Sequence, residues 1–165
     1  MMRPAYSQSA TATDYQHSIY WWIVKVVCGT VIIASLFLMS LYGVPTLFSV
    51  PRHYAQFLVL SGGALTLWHY LILKRNDRNV QNPYILMEAR GLFRWVRHPM
   101  YCGDILSYTG LVLLAPNLVT VVVLLLSYLA LIKQARVEDQ FLAKRFGKRY
   151  SRWQCQTGLL LPRLM

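Results

Sequence analysis

Four apolar runs, parted by short polar stretches, limit what this chain can become. They are Ile19–Tyr42 and residues 54–73, 100–115 and 118–132. A helix needs about 20 apolar residues, and no fewer than about 17, to cross a bilayer core. The first two runs meet that length. The last two are shorter and are divided only by Pro116 and Asn117. Pro stops a helix and Asn tolerates a turn. The spacing predicts a tight antiparallel hairpin whose inner ends extend into polar helix. A single helix broken at Pro116 would put the flanking charges on opposite sides, so the hairpin is preferred. The expected fold is all-α: a bundle of four transmembrane helices. Lys25 interrupts the first run near its start. Asp104 lies about one turn inside the third, where an acid either faces the bundle interior or reaches the interface.

The distribution of cations orients the bundle. The chain carries 17 Lys and Arg against 6 Asp and Glu, a net charge of +11. Six of the cations lie in residues 74–97 and eight from Lys133 onward, while residues 43–53 carry only Arg52. Cation-rich segments stay on the cytoplasmic side of a membrane. Both termini and both rich segments are therefore expected there. The cations flank apolar runs instead of forming a stripe, which argues against nucleic acid. With 165 residues, 56% of them hydrophobic, the chain suits one membrane domain, residues 19–165, after a polar tail, residues 1–18. The first run is too long for a signal-peptide core and lacks a small-residue cleavage site, so it is read as retained. Cys28, Cys102 and Cys155 show no metal spacing and read as free buried thiols.

Two blocks carry chemistry, and the hairpin brings them to one face. The first is Arg97-His98-Pro99-Met100-Tyr101-Cys102-Gly103. Pro99 suits a first helical turn, where its missing N–H costs nothing, so a helix starts near His98. Its free N–H groups favour an anion, with Arg97 nearby to help. His98 is a candidate proton carrier or merely a cap; Tyr101 is a candidate site residue or an interfacial anchor. Gly103, Ser107 and Gly110 form a small-residue stripe, expected to pack against the fourth span. The second block is Glu138-Asp139, followed by Phe146-Gly147-Lys148-Arg149-Tyr150. Val137, Phe141, Leu142 and Phe146 alternate with cations, which predicts a basic amphipathic helix lying on the membrane and ended by Gly147. Adjacent acids face different ways on a helix, so at most one of Glu138 and Asp139 is expected to aim inward.

In order, these blocks resemble the isoprenylcysteine carboxyl methyltransferase family. Gly91, Arg97-His98-Pro99, Tyr101 and Gly103 are similar to its first motif; Glu138-Asp139, Leu142, Phe146-Gly147 and Tyr150 are similar to its second; Pro162 falls at its closing proline. The likeness covers residues 85–162. It also extends to phospholipid N-methyltransferases, and membrane sterol reductases share a related C-terminal half. The resemblance implies S-adenosylmethionine as cofactor, held by Ile85, Leu86, Met87, Glu88, Phe93, His98, Pro99, Met100, Tyr101 and Glu138, with His98, Tyr101 and Glu138 as catalytic residues. It implies no metal. Phe93 stands where the family has tyrosine, and Gln134 where prenylcysteine enzymes keep an arginine for the substrate carboxylate; Lys133 and Arg136 are the nearby cations. The expected activity is methyl transfer to a lipid or lipophilic acceptor drawn from the bilayer of a bacterial inner membrane or the endoplasmic reticulum. The alternatives are amine methylation on a phospholipid head group, an NADPH-dependent reductase, and a membrane module without catalysis.

Overall fold

The structure, a computed structural model, describes residues 12–43, 45–76 and 91–163. It is helical throughout: α1 (Ala12–Tyr42), α2 (Arg52–Asn76), a 3-10 turn (Gly91–Arg94), α3 (Pro99–Leu114), α4 (Leu118–Phe146) and α5 (Lys148–Gln156). Among the described residues the only bridge of strand type is a parallel pairing of Val96 with Gly158. α1 begins inside the stretch expected to be a tail, so residues 12–18 belong to the first helix.

The four long helices run alternately up and down. At one end the loop after α1 meets the α3–α4 turn, where the Leu47 N–H donates to the Pro116 carbonyl at 2.8 Å. Asn117 caps α4 in both directions there. Its side-chain oxygen accepts from the Thr120 N–H at 2.9 Å, and its own N–H donates to the Thr120 hydroxyl at 3.1 Å. That reciprocal cap explains why so short a turn suffices: the orphan donors of the helix start are met locally. The opposite end holds both chemical blocks, as the hairpin requires.

α2 packs most closely on α3, and α1 on α4. The stripe of Gly103, Ser107 and Gly110 therefore faces α2, not the fourth span as expected. A Cβ on Gly103 would lie 2.6 Å from the Gly62 carbonyl oxygen, and one on Gly110 2.7 Å from that of Ala55. Backbone touches backbone, which is the use of small residues where lipid offers no hydrophobic drive between helices. A stripe fixes how near the partner comes and says nothing of which helix it is.

Among the described residues three helices are long and apolar enough to cross a membrane: α1 through Ile19–Tyr42, α2 through Arg52–Ile72, and α4. Their outer faces expose large apolar side chains, such as Phe37, Phe57, Leu60 and Leu118, each more than 60% exposed. Water would not tolerate so much apolar surface; lipid does. α3 has 16 residues, about 24 Å of helix, short of the roughly 30 Å bilayer core. The expected amphipathic helix is also not a separate element. Residues 137–146 continue α4 without a break, because nothing interrupts the helical period before Gly147. Gly147 ends α4 with a φ of 55°, a conformation in which glycine has no steric penalty, and α5 turns back from it.

Candidate active site

The site is built where the start of α3 meets the far end of α4, under a strap formed by residues 157–160. The Gly158 N–H donates to the Trp95 carbonyl at 2.9 Å, and Arg97 and His98 donate their N–H groups to Gly158 and Leu159 at 2.8 and 3.2 Å. The Cys102 thiol donates to the Leu160 carbonyl at 2.9 Å. α3 does start at Pro99, but its end is not an open cradle of N–H groups. The strap takes the N–H groups of Arg97 and His98 just ahead of the helix, and Tyr101 and Cys102 turn theirs onto the His98 carbonyl.

Asp139 is the hub of this end. Its carboxylate, 4% exposed, takes five donors. Arg97 approaches as a fork, Nε to Oδ1 at 3.2 Å and Nη2 to Oδ2 at 3.0 Å. His98 Nε2–H donates to Oδ1 at 3.3 Å, the Tyr150 hydroxyl to Oδ1 at 2.5 Å, and the Gln154 amide to Oδ2 at 3.1 Å. A carboxylate offers about four lone-pair positions, so this one is saturated. Arg97 is equally committed, since Nη1 also donates to the carbonyls of Gln154 and Thr157. The expectation that Arg97 serves an anionic ligand is thereby corrected: the guanidinium ties α3, α4, α5 and the strap together. Burial, and then donation to Asp139, raise the Tyr150 hydroxyl above the usual phenol range, so it stays a donor.

Glu138 has the opposite character. Its side chain is 30% exposed. Oε1 accepts from the Tyr101 hydroxyl at 2.6 Å and from the Gln134 amide at 3.1 Å. Oε2 stands 3.7 Å from His98 Nδ1, too far for a hydrogen bond but near enough for an ion pair when the imidazole is protonated. Thus both acids serve the site, against the expectation that only one could. His98 lies between them and reaches one acid with each ring nitrogen. Nor does His98 act as a cap: it occupies the N-cap position without a side-chain bond to the helix. Asp139 only accepts, so His98 Nε2 carries a proton and Nδ1 of the neutral ring is a base. The Tyr101 ring lies parallel to the His98 ring, 5.4 Å between centroids, and is buried, not an interfacial anchor.

The expected residues divide accordingly. His98, Tyr101 and Glu138 come together, with Pro99 and Met100 beneath them on the same turn. Phe93 is fully buried and packs on α2, against His69 at 5.1 Å and Trp68 at 6.3 Å between centroids; it anchors the 3-10 turn. Ile85, Leu86, Met87 and Glu88 lie outside the described residues. Gln134, read from sequence only as a departure from a motif, is 3% exposed and shares Glu138 with Tyr101. The three cysteines are free, but Cys28 alone of them is buried; Cys102 is half-buried and Cys155 exposed. Among the described residues no three His, Cys, Asp or Glu side chains are grouped to hold a metal ion.

A family model for phospholipid methyltransferases matches residues 51–149. The chain belongs to the phospholipid methyltransferase family. The match runs from the start of α2 to the start of α5 and contains the first chemical block and all of the second but Tyr150. Phospholipid and isoprenylcysteine methyltransferases form one superfamily, so the motif resemblance and the match agree at that level. With its exposed apolar helices, this phospholipid methyltransferase relative is an integral membrane protein and a methyltransferase of that broad class. No curated protein and no solved structure matches the chain.

Proposed function

We propose that the protein transfers a methyl group from S-adenosylmethionine to a lipophilic acceptor, at the His98–Tyr101–Glu138 cluster. The observation that carries this reading is the state of two oxygens. Among the described residues Glu138 Oε2 accepts no hydrogen bond, and the buried Oε1 of Gln134, on the same helix face, has no partner. A buried acceptor left unmatched, as Gln134 Oε1 is, is costly unless a ligand meets it, and Glu138 Oε2 stands partly open beside it. The cofactor brings what they lack, an ammonium and ribose hydroxyls, so the residues fit it. Glu138 and Gln134 would hold those donors, with the rings of His98 and Tyr101 alongside. When bound, the cofactor supplies an electrophilic methyl group.

The remaining work falls to the protein. Methyl transfer is an in-line displacement, so much of the rate comes from holding the partners aligned. The Asp139–Arg97 fork fixes His98 in one tautomer. Nδ1 can then take a proton from an acceptor that must shed one. Tyr101 is already donating to Glu138, which leaves His98 as the base. The polar atoms left over at the cluster are acceptors. Arg97 is bonded throughout, Lys25 is paired with Asp104, and Lys133 and Arg136 are exposed on α4. This favours an acceptor that brings its own N–H over a carboxylate seeking a cation. It enters sideways from the lipid, α3 acts as a short fourth leg buried among three longer ones, and the site faces the cytoplasm.

The test uses membranes holding the full chain and S-adenosylmethionine labelled on its methyl group. Label should pass into the organic phase. Glu138→Ala should abolish transfer and weaken cofactor binding by about 2–5 kcal/mol, roughly 30-fold or more, since a charged partner is truncated. Unchanged cofactor affinity in Glu138→Ala, or label confined to water-soluble product, would refute this reading.

A further inference from the structure

Lys25 is the one charge inside the apolar run Ile19–Tyr42, and Asp104 the one charge in residues 100–115. The two meet. Lys25 Nζ lies 3.1 Å from Asp104 Oδ2, with side chains 11% and 17% exposed. The pair joins α1 to α3, which otherwise touch little compared with α1 and α4. The same ammonium stands over the Tyr101 ring, 5.2 Å from its centroid. Tyr101 in turn donates to Glu138 at 2.6 Å and lies parallel to His98. A cation over the face of a phenol is attracted to the ring's electron density. It also draws density away from the hydroxyl, which makes the hydroxyl a better donor.

Stability alone does not account for this pair. Burying two charges costs nearly as much as their attraction returns, and apolar replacements of both are often neutral or better. Ionisable groups within a span are by default part of a site. On the functional reading above, we propose that Lys25 and Asp104 are positioning residues: a buried charge pair that holds Tyr101, and through it Glu138, so that Oε2 faces the cofactor. Neither touches the reacting atoms. Lys25 acts on Tyr101, and Asp104 holds Lys25 over the ring.

The experiment removes both charges together, as Lys25→Met with Asp104→Leu, so that neither is left buried and unpaired. Thermal stability in detergent should stay near wild type. The kcat for methyl transfer should fall about 10-fold or more, the size that a small misplacement of a reacting group produces, with less change in KM for the acceptor. A second readout needs no cofactor. Labelling of Glu138 by a hydrophobic carbodiimide, read by peptide mass, should rise several-fold as the Tyr101 bond loosens. Lys25→Arg, which keeps a cation over the ring, should retain most activity and wild-type labelling. Wild-type kcat and labelling in the double variant would overturn the proposal, as would a kcat loss no larger than the loss of folded protein. Should the double variant fail to fold, Asp104→Asn keeps the shape and an acceptor for Lys25; wild-type labelling and kcat there overturn it equally. If the unaltered protein binds no S-adenosylmethionine, the functional reading falls, while the labelling still decides the role of the pair.

Discussion

Replacing Asp139 by Ala removes a carboxylate that five donors share, and the structure sets the size of the loss. The Arg97 side chain is 10% exposed and would keep only Nη1 bonded, to the Gln154 and Thr157 carbonyls. Its Nε and Nη2 would face a cavity, as would the Tyr150 hydroxyl and the Gln154 amide. Removing one partner of a buried ion pair costs about 3–5 kcal/mol. A neutral donor left unsatisfied costs about 1–3 kcal/mol more. These losses overlap, since the donors share one carboxylate and the half-buried Gln154 amide can recover water, so about 4 kcal/mol is the expected sum. For a chain of this size each kcal/mol moves the melting temperature by roughly 2–4 °C, giving a fall of about 8–16 °C. Asp139→Asn should lose nearly as much, because its amide would turn a donor toward Arg97 or Gln154. The assay is thermal unfolding of the purified protein in detergent, with S-adenosylmethionine affinity measured well below the transition. Cofactor affinity should suffer less than in Glu138→Ala. A melting temperature within about 2 °C of wild type would show that Asp139 does not hold this end of the bundle together.

Gly103→Val should destabilise by about 1–3 kcal/mol or more, since its side chain would enter the Gly62 backbone, whereas Gly63→Ala, with open space around it, should be nearly silent; thermal unfolding separates them. The raised Tyr150 hydroxyl gives a pH signature. The unfolded chain loses that proton near pH 10 and the folded one keeps it, so stability should fall as pH rises above about 10. Tyr150→Phe should flatten that fall, which denaturant midpoints across pH can read. For topology, single cysteines introduced near Phe48 and at Gln156 should differ: the first should react with an impermeant reagent outside intact cells and the second should not. The reverse pattern would overturn the orientation.

The apolar runs made the helices legible because lipid imposes length and composition directly on sequence. The meeting of His98 with Glu138 was legible too, since one short hairpin at Pro116 and Asn117 leaves the blocks no other place. What stayed hidden was partner choice. Lys25 and Asp104 each read as a lone charge, and only the docking of α1 on α3 joins them. Arg97 read as a ligand-binding cation because it stands beside His98 in the chain; its true partners are 42 and more residues away. Asp139 looked like the lesser of two acids, because helical spacing says that neighbours diverge. His98, lying between them, makes both directions useful. The amphipathic pattern of residues 137–146 was real, but periodicity alone does not tell a new helix from the end of an old one.

The strap that pairs with residues 95–98 also sets an order of events. A ribosome adds about 5–20 residues per second, so Asp139 follows Arg97 by roughly 2–8 s and Thr157 follows by roughly 3–12 s. Through the first interval the guanidinium lacks this carboxylate, and α3 packs beside α2 with its end unclamped. Arrival of Asp139 clamps α3 to α4 first, and the strap closes over that clamp afterwards. Until residues 157–160 are made, the clamp has no strap over it, and that end of the bundle is where a membrane chaperone or a protease would find the nascent chain open.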